Sequence, residues 1–283
     1  MKAAWLALGA VTLWATNAVV ARQVLGDLAV EQVQVLQFAG ATAVFLVARL
    51  FSRGVEGSLG LGTALGLLGV TGTMVFQYLA FSAGPIAETN IVAYAWPLLA
   101  ALLFIAGGKL DRPWRFLAIT ALGFLGAALV IMRDEGGIVP HAAGRGHLWA
   151  MASAFCMASY SAAIGRVKCN QDSVHLAGSV AGLGLAALWC AGSGVGWPNP
   201  TASNFWLGLY LGAGPIGVGY LLWARAMRND PAGRMAALGY LTPVASTALL
   251  VISGAAIGPQ ALLGGVIVIA CCAATGMEAR EHA

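Results

Sequence analysis

Two stretches decide how this sequence folds: Tyr94-Ala95-Trp96-Pro97 and Tyr240-Leu241-Thr242-Pro243. Each Pro lies inside an apolar run long enough for a membrane helix. Its missing N–H frees a carbonyl one turn back, that of Ala93 or Gly239. Hydrocarbon cannot satisfy a freed carbonyl, so both broken turns are expected to face protein or a watery cavity. Pro215, inside a third long run, is expected to kink its helix as well.

The rest of the chain supports a membrane setting. Of 283 residues, 59% are hydrophobic and 9% charged, with a mean hydropathy of +0.81. Water-soluble domains carry about a quarter charged residues. The apolar runs are continuous rather than alternating, which reads as an all-α polytopic protein and not a barrel. Breaks between them give ten transmembrane helices near 3–24, 32–51, 59–81, 85–107, 114–132, 146–167, 174–192, 203–227, 233–253 and 260–278. The run after Met1-Lys2 continues to about Leu25 and is read as a retained first helix rather than a signal peptide. The net charge of +4 is scattered over short connections, which argues against a nucleic-acid partner. The five Cys lack metal-ligand spacing and read as buried free thiols, so neither a metal nor a cofactor is expected.

Assigning the fifteen Lys and Arg to alternating sides puts twelve with the N-terminus and three, Arg22, Arg133 and Arg145, opposite. Both termini are therefore expected in the cytoplasm. The sequence also repeats at a shift of 146: Leu61, Gly62, Leu65 and Gly66 match Leu207, Gly208, Leu211 and Gly212, and Tyr94 and Pro97 match Tyr240 and Pro243. Residues 1–132 and 146–283 then form two five-helix halves joined by a loop at 133–145. Because five is odd, the second half is inverted. Matched, interrupted helices in inverted halves point to a solute site at the midplane between them.

These features resemble the drug/metabolite transporter superfamily, specifically its EamA-type exporters, over nearly the whole chain. Among the branches, the chain looks most like the bacterial inner-membrane aromatic amino acid exporters of the YddG type. The resemblance implies a central cavity lined by the first, third and fourth helices of each half, with the second helices helping to gate. Branches that expel cations with proton coupling carry a carboxylate in the first span. Here that span has none.

The residues themselves indicate what such a cavity would hold. Asn90, Tyr94 and Pro97 share one stripe of the fourth span, and Tyr240 and Pro243 share one on the ninth. Trp96 and Thr242, which precede the two prolines, make the pair asymmetric. Trp14 and Asn17 lie one turn apart on the first span, as do Gln77 and Phe81 on the third with Tyr78 beside them. Tyr160 and Ser161 fall midway along the sixth, and Trp223 shares a face of the eighth with Gly219. Rings with a few amides and hydroxyls suit a small amphipathic substrate, such as an aromatic or other neutral amino acid. Trp5, Trp114, Trp149 and Trp206, near span ends, are assigned to the interfacial belt.

No Asp, His or Lys is placed deep in a span, and Glu88 is the one candidate acid. Export without proton coupling follows as the expected mechanism. Glu88 as a proton or amine site is weighed against an exposed residue in the first turn of a helix. Arg22 and Arg166 are candidate gate residues or snorkelling cations. The Gly62/Gly66 and Gly208/Gly212 pairs are read as packing within a monomer. Alternatives are an antiporter of phosphorylated metabolites, which needs cations in the cavity, and a proton-coupled drug exporter. A membrane-embedded enzyme would need catalytic constellations that no span interior carries.

Overall fold

The computed structural model describes residues 2–52, 59–108, 110, 112–132, 144–230, 233–252 and 258–281. The proposed connecting loop therefore lies largely outside the described residues, as do Arg53, Lys109 and Arg133 of the charge tally. Helical segments follow one another with short connections: α1 (Lys2–Leu25), α2 (Val30–Leu50), α3 (Gly60–Ala83), α4 (Ile86–Ala106) and α5 (Pro113–Ile131). Then come α6 (Arg145–Ile164), α7 (Gln171–Gly192), α8 (Ala202–Arg228), α9 (234–252) and α10 (Pro259–Glu281). No strand occurs among the described residues. Seven of the segments, α1 to α5, α7 and α8, are long and apolar enough to cross a membrane, and α10 holds a shorter apolar stretch, Pro259–Thr275. The chain is a multi-pass helical membrane protein.

The segments are irregular where the sequence leads one to look and in one place more. α4 stops at Ala93, turns through Tyr94 and Ala95, and resumes at Trp96 with Pro97 in its first turn, where a missing N–H costs nothing. α9 opens as a tight 3-10 turn over Arg234–Tyr240 and becomes α-helical at Leu241. α3 and α8 each contain a π-helical segment, Leu67–Gly72 and Gly212–Val218. Pro215 sits inside the second, so the expected kink takes the form of a widened turn, which makes room for its ring.

Packing interleaves the early and late segments. α2 lies against α7 and α5 against α10, while α3 packs on α6 and α7, and α8 on α1 and α2. Glycines permit the closest crossings. A Cβ on Gly212 would strike the Gln37 carbonyl of α2, and one on Gly66 the Val174 carbonyl of α7. These two glycines of the Gly-x-x-x-Gly pairs thus serve contacts within the chain. All five cysteines are free and buried. Trp5, Trp114 and Trp206 are largely exposed on the outer surface, and Trp149 stacks on Phe76.

Overpacking a tight crossing typically costs about 1–3 kcal/mol, which for a chain of this size lowers the melting temperature by roughly 2–10 °C. Gly212→Val and Gly66→Val are expected to show that loss in detergent-solubilised protein. Gly184→Ala on α7, where a Cβ meets nothing, should leave melting unchanged.

Candidate functional site

A chamber lies where the irregular segments meet. Its wall is made by Trp14 and Asn17 of α1, Thr73, Met74 and Gln77 of α3, and Ala93, Tyr94 and Trp96 of α4. Ser153 and Met157 of α6, Pro215, Ile216 and Tyr220 of α8, and Thr242 of α9 complete it. These residues come from six segments. The chamber encloses about 80 Å³. A wider vestibule of about 560 Å³ adjoins it, lined by Arg22, Asn90, Pro243, Ser246 and Thr247 among others. Trp14, Tyr94 and Thr242 belong to both walls.

The irregular backbone is satisfied by ring donors from elsewhere. Trp14 Nε1–H donates to the Pro215 carbonyl at 2.9 Å, inside the π-segment of α8. Tyr220 of α8 donates its hydroxyl to the Gly69 carbonyl at 3.2 Å, inside the π-segment of α3. Just beyond that segment, Ser153 donates to the Thr73 carbonyl at 2.9 Å and Gln34 to the Met74 carbonyl at 3.2 Å. Of the two residues whose carbonyls Pro97 and Pro243 were expected to free, Ala93 lines the chamber and Gly239 lies under the Trp96 ring.

Aromatic rings form one side of the chamber. Trp14 meets Trp96 edge-on at 6.4 Å, Trp223 at 5.1 Å and Tyr220 at 6.0 Å, and Trp96 meets Trp223 edge-on at 5.4 Å. Trp223 is fully buried behind this layer and donates Nε1–H to Ser161 at 3.0 Å. Opposite polarity comes from neutral groups. Among the described residues neither Asn17 Oδ1 nor Thr242 Oγ1 has a hydrogen-bond partner, and the Tyr94 phenol shares the same wall. Among the described residues, no Asp, Glu, His, Lys or Arg lines the chamber.

Of the residues singled out in the sequence, Trp14, Asn17, Gln77, Tyr94, Trp96 and Pro215 reach the chamber, and Arg22, Asn90 and Pro243 the vestibule. Tyr78, Phe81, Tyr160, Ser161, Trp223 and Tyr240 line neither. Tyr78 faces α2 and accepts from Gln37 Nε2 at 3.0 Å, with Phe81 tilted against it. Tyr240 packs over Gly123 of α5, and Pro97 is buried. Thr73, Met74, Ser153, Met157 and Tyr220 are lining residues that sequence reasoning missed.

One expectation about an ionisable group, that of an exposed Glu88, is corrected. Glu88 is buried, because the first turn of α4 packs on α6, and its carboxylate lies 3.3 Å from His147 Nε2. His175, near the start of α7, is wholly buried, with Nε2 2.5 Å from the Tyr160 hydroxyl.

Elsewhere, Phe104 is buried beneath Arg166, whose guanidinium sits 4.6 Å from the ring centroid. Gly233, at φ +74°, abuts the same ring, leaving no room for a Cβ. Asp230 accepts from Met235 N–H at 2.6 Å. Burial raises its carboxyl above the usual range, against the pull of that N–H and of Arg234 and Arg166. Burial likewise raises the Cys169 thiol, opposed by Arg228.

A multi-pass helical membrane protein whose broken helices surround an aromatic and polar chamber has the architecture of a solute transporter. Residues 144–277 match the EamA-like transporter family. The aromatic amino acid exporter YddG of Ancylobacter novellus is 32% identical over 221 residues, 75% of this chain and 72% of that protein. A solved crystal structure superposes with a TM-score of 0.83 at 27% identity, covering 99% of this chain and 98% of that one. The chain belongs to the EamA-like transporters of the drug/metabolite superfamily and is a YddG-like membrane exporter.

Leaving a buried carbonyl without its donor costs about 1–3 kcal/mol. Trp14→Phe and Tyr220→Phe, which keep a ring and remove the donor, should each lower the melting temperature by roughly 2–8 °C. Thr12→Ala, which alters a hydroxyl bonded within its own helix, should not.

Proposed function

We propose that the protein exports small amphipathic metabolites, aromatic and other neutral amino acids above all, by alternating access through the central chamber and without proton coupling. The carrying observation is the chamber wall: indole, phenol and thioether surfaces beside neutral amides and hydroxyls, with no charged side chain among the described residues. An aryl side chain would lie on Trp14, Trp96 and Tyr220. Its ammonium and carboxylate would meet Asn17, Gln77, Thr73, Ser153, Tyr94 and Thr242. Trp223, bonded to Ser161, and Tyr160 support this wall from behind. A phosphorylated substrate finds no cation in it. Neither Glu88 nor His175 lines it, which favours movement down the substrate's own gradient.

The architecture behind this reading is ten transmembrane helices in two inverted halves, 1–132 and 146–283, joined at 133–145. Two features support it. The π-segments fall in register at the 146-residue shift, with Gly69 matching Pro215, the two carbonyls that accept ring donors. The contacts also exchange: α1 packs on α8 and α9, and α6 on α3 and α4. With twelve of fifteen basic residues on the N-terminal side, both termini are cytoplasmic in a bacterial inner membrane. The vestibule beside Arg22 then opens outward, and the Phe104/Arg166 contact lies toward the cytoplasm. The protein acts as a monomer whose partners are its substrate and the bilayer.

Trp14, Tyr94 and Thr242 act as the door between vestibule and chamber. Two of them sit at backbone breaks, and Trp14 is held by the π-segment carbonyl. Small backbone rotations there suffice to move them.

Counterflow into proteoliposomes tests the substrate. Saturable exchange of phenylalanine and tryptophan, equal at matched and mismatched pH, is expected, with Trp96→Ala and Asn17→Ala weakening half-saturation by at least about fivefold. Absence of saturable flux, or dependence on a pH gradient, would refute the reading. The door is tested in a cysteine-free background with an impermeant thiol reagent. Ser246→Cys in the vestibule should react quickly, and Ser153→Cys in the chamber slowly until Tyr94→Ala speeds it by about tenfold, a change of some 1.4 kcal/mol.

A further inference from the structure

His175 is a buried ionisable residue that the transport reading leaves without a task. Its imidazole joins four helical segments, and Tyr160 extends the group to a fifth. On α7 itself it is fully buried. It stacks on Phe45 of α2, with centroids 5.0 Å apart and planes at 19°. Its Nε2 lies 2.5 Å from the Tyr160 hydroxyl of α6, either atom able to donate. It meets Tyr220 of α8 edge-on at 6.3 Å. Tyr160 in turn tilts against Tyr220 at 5.5 Å, and its ring covers Gly69 in the π-segment of α3 so closely that no Cβ would fit.

The chain of contacts ends at the chamber. Tyr220 is both a wall ring and the donor to the Gly69 carbonyl. A buried phenol needs a partner for its hydroxyl, and the direction of that partner fixes the plane of its ring. The Nε2 of His175 thus sets Tyr160, and Tyr160 sets both the Tyr220 ring and the backbone turn that Tyr220 caps. His175 itself lies outside the wall.

We propose that His175 is a positioning residue for substrate recognition. Acting through Tyr160, it holds Tyr220 and the Gly69 turn in the orientation that receives a substrate's aryl group. The inference rests on the chamber being the substrate site.

Counterflow kinetics separate this role from a purely structural one. Tyr160→Phe removes one oxygen and keeps the ring. It should raise the half-saturation for phenylalanine and tryptophan at least about fivefold, leave the maximal rate within about twofold, and move leucine by less than about twofold. His175→Phe, which can still stack on Phe45, should do the same, and the double variant should be no worse than either single one. His175→Gln, whose amide can donate to and accept from the hydroxyl, should recover part of the loss. Unchanged half-saturation in Tyr160→Phe, or additive losses in the double variant, would overturn the proposal even if His175→Phe fails to fold. Flux with unchanged half-saturation sinks this inference alone. Absence of saturable flux in the unmodified protein sinks the functional reading and this inference with it.

Discussion

A carbonyl inside a bilayer must be given a donor, and much of this structure follows from meeting that demand at the irregular turns of α3 and α8. An unbroken apolar helix satisfies itself and offers a solute nothing. Each break creates polar backbone at membrane depth, and in α3 and α8 the donors come from the indole of Trp14, the phenol of Tyr220, the hydroxyl of Ser153 and the amide of Gln34. Three of these four donors belong to residues of the chamber wall. The side chains that stabilise the breaks are thus also the surface that a solute meets.

This double use explains why the chamber is aromatic and neutral at once. An indole or a phenol can spend its single donor on backbone and still present a flat apolar face. A charged side chain in the same place would need a partner of its own, since burying an ion is expensive unless it is paired. The buried ionisable groups near the chamber are accordingly set behind it, Glu88 with His147 and His175 with Tyr160. Close helix crossings at Gly66 and Gly212 let the interleaved segments come near enough for these long-range bonds.

Much of this was legible in the residues, for identifiable reasons. Proline removes a donor wherever it stands, so the interruptions before Pro97 and Pro243 could be read directly, and with them Tyr94, Trp96 and Ala93. Trp14 and Asn17 follow from an ordinary helical period on α1. The π-segments were not legible in the same way. In Leu67–Gly72 the run is apolar and glycine-rich on all sides, so one extra residue per turn leaves no mark on its pattern. Each such insertion rotates everything after it by about 100° relative to a plain α-helix. Faces assigned downstream at the usual period therefore slip. Tyr78 points to α2 instead of the chamber, and Tyr220 takes the wall position while Trp223 lies behind it. His175 was overlooked because its position near the start of α7 suggests an interfacial residue. Phe45, Tyr160 and Tyr220, which cover it, come from three other helices.

The central claim is that the ring donors which satisfy the broken helices also form the substrate's aryl site. Anomalous diffraction from crystals of the protein with 5-bromotryptophan tests it most directly. A bromine peak in the chamber bounded by Trp14, Trp96 and Tyr220 is the predicted result. A peak confined to the vestibule or the outer surface at saturating ligand would contradict it.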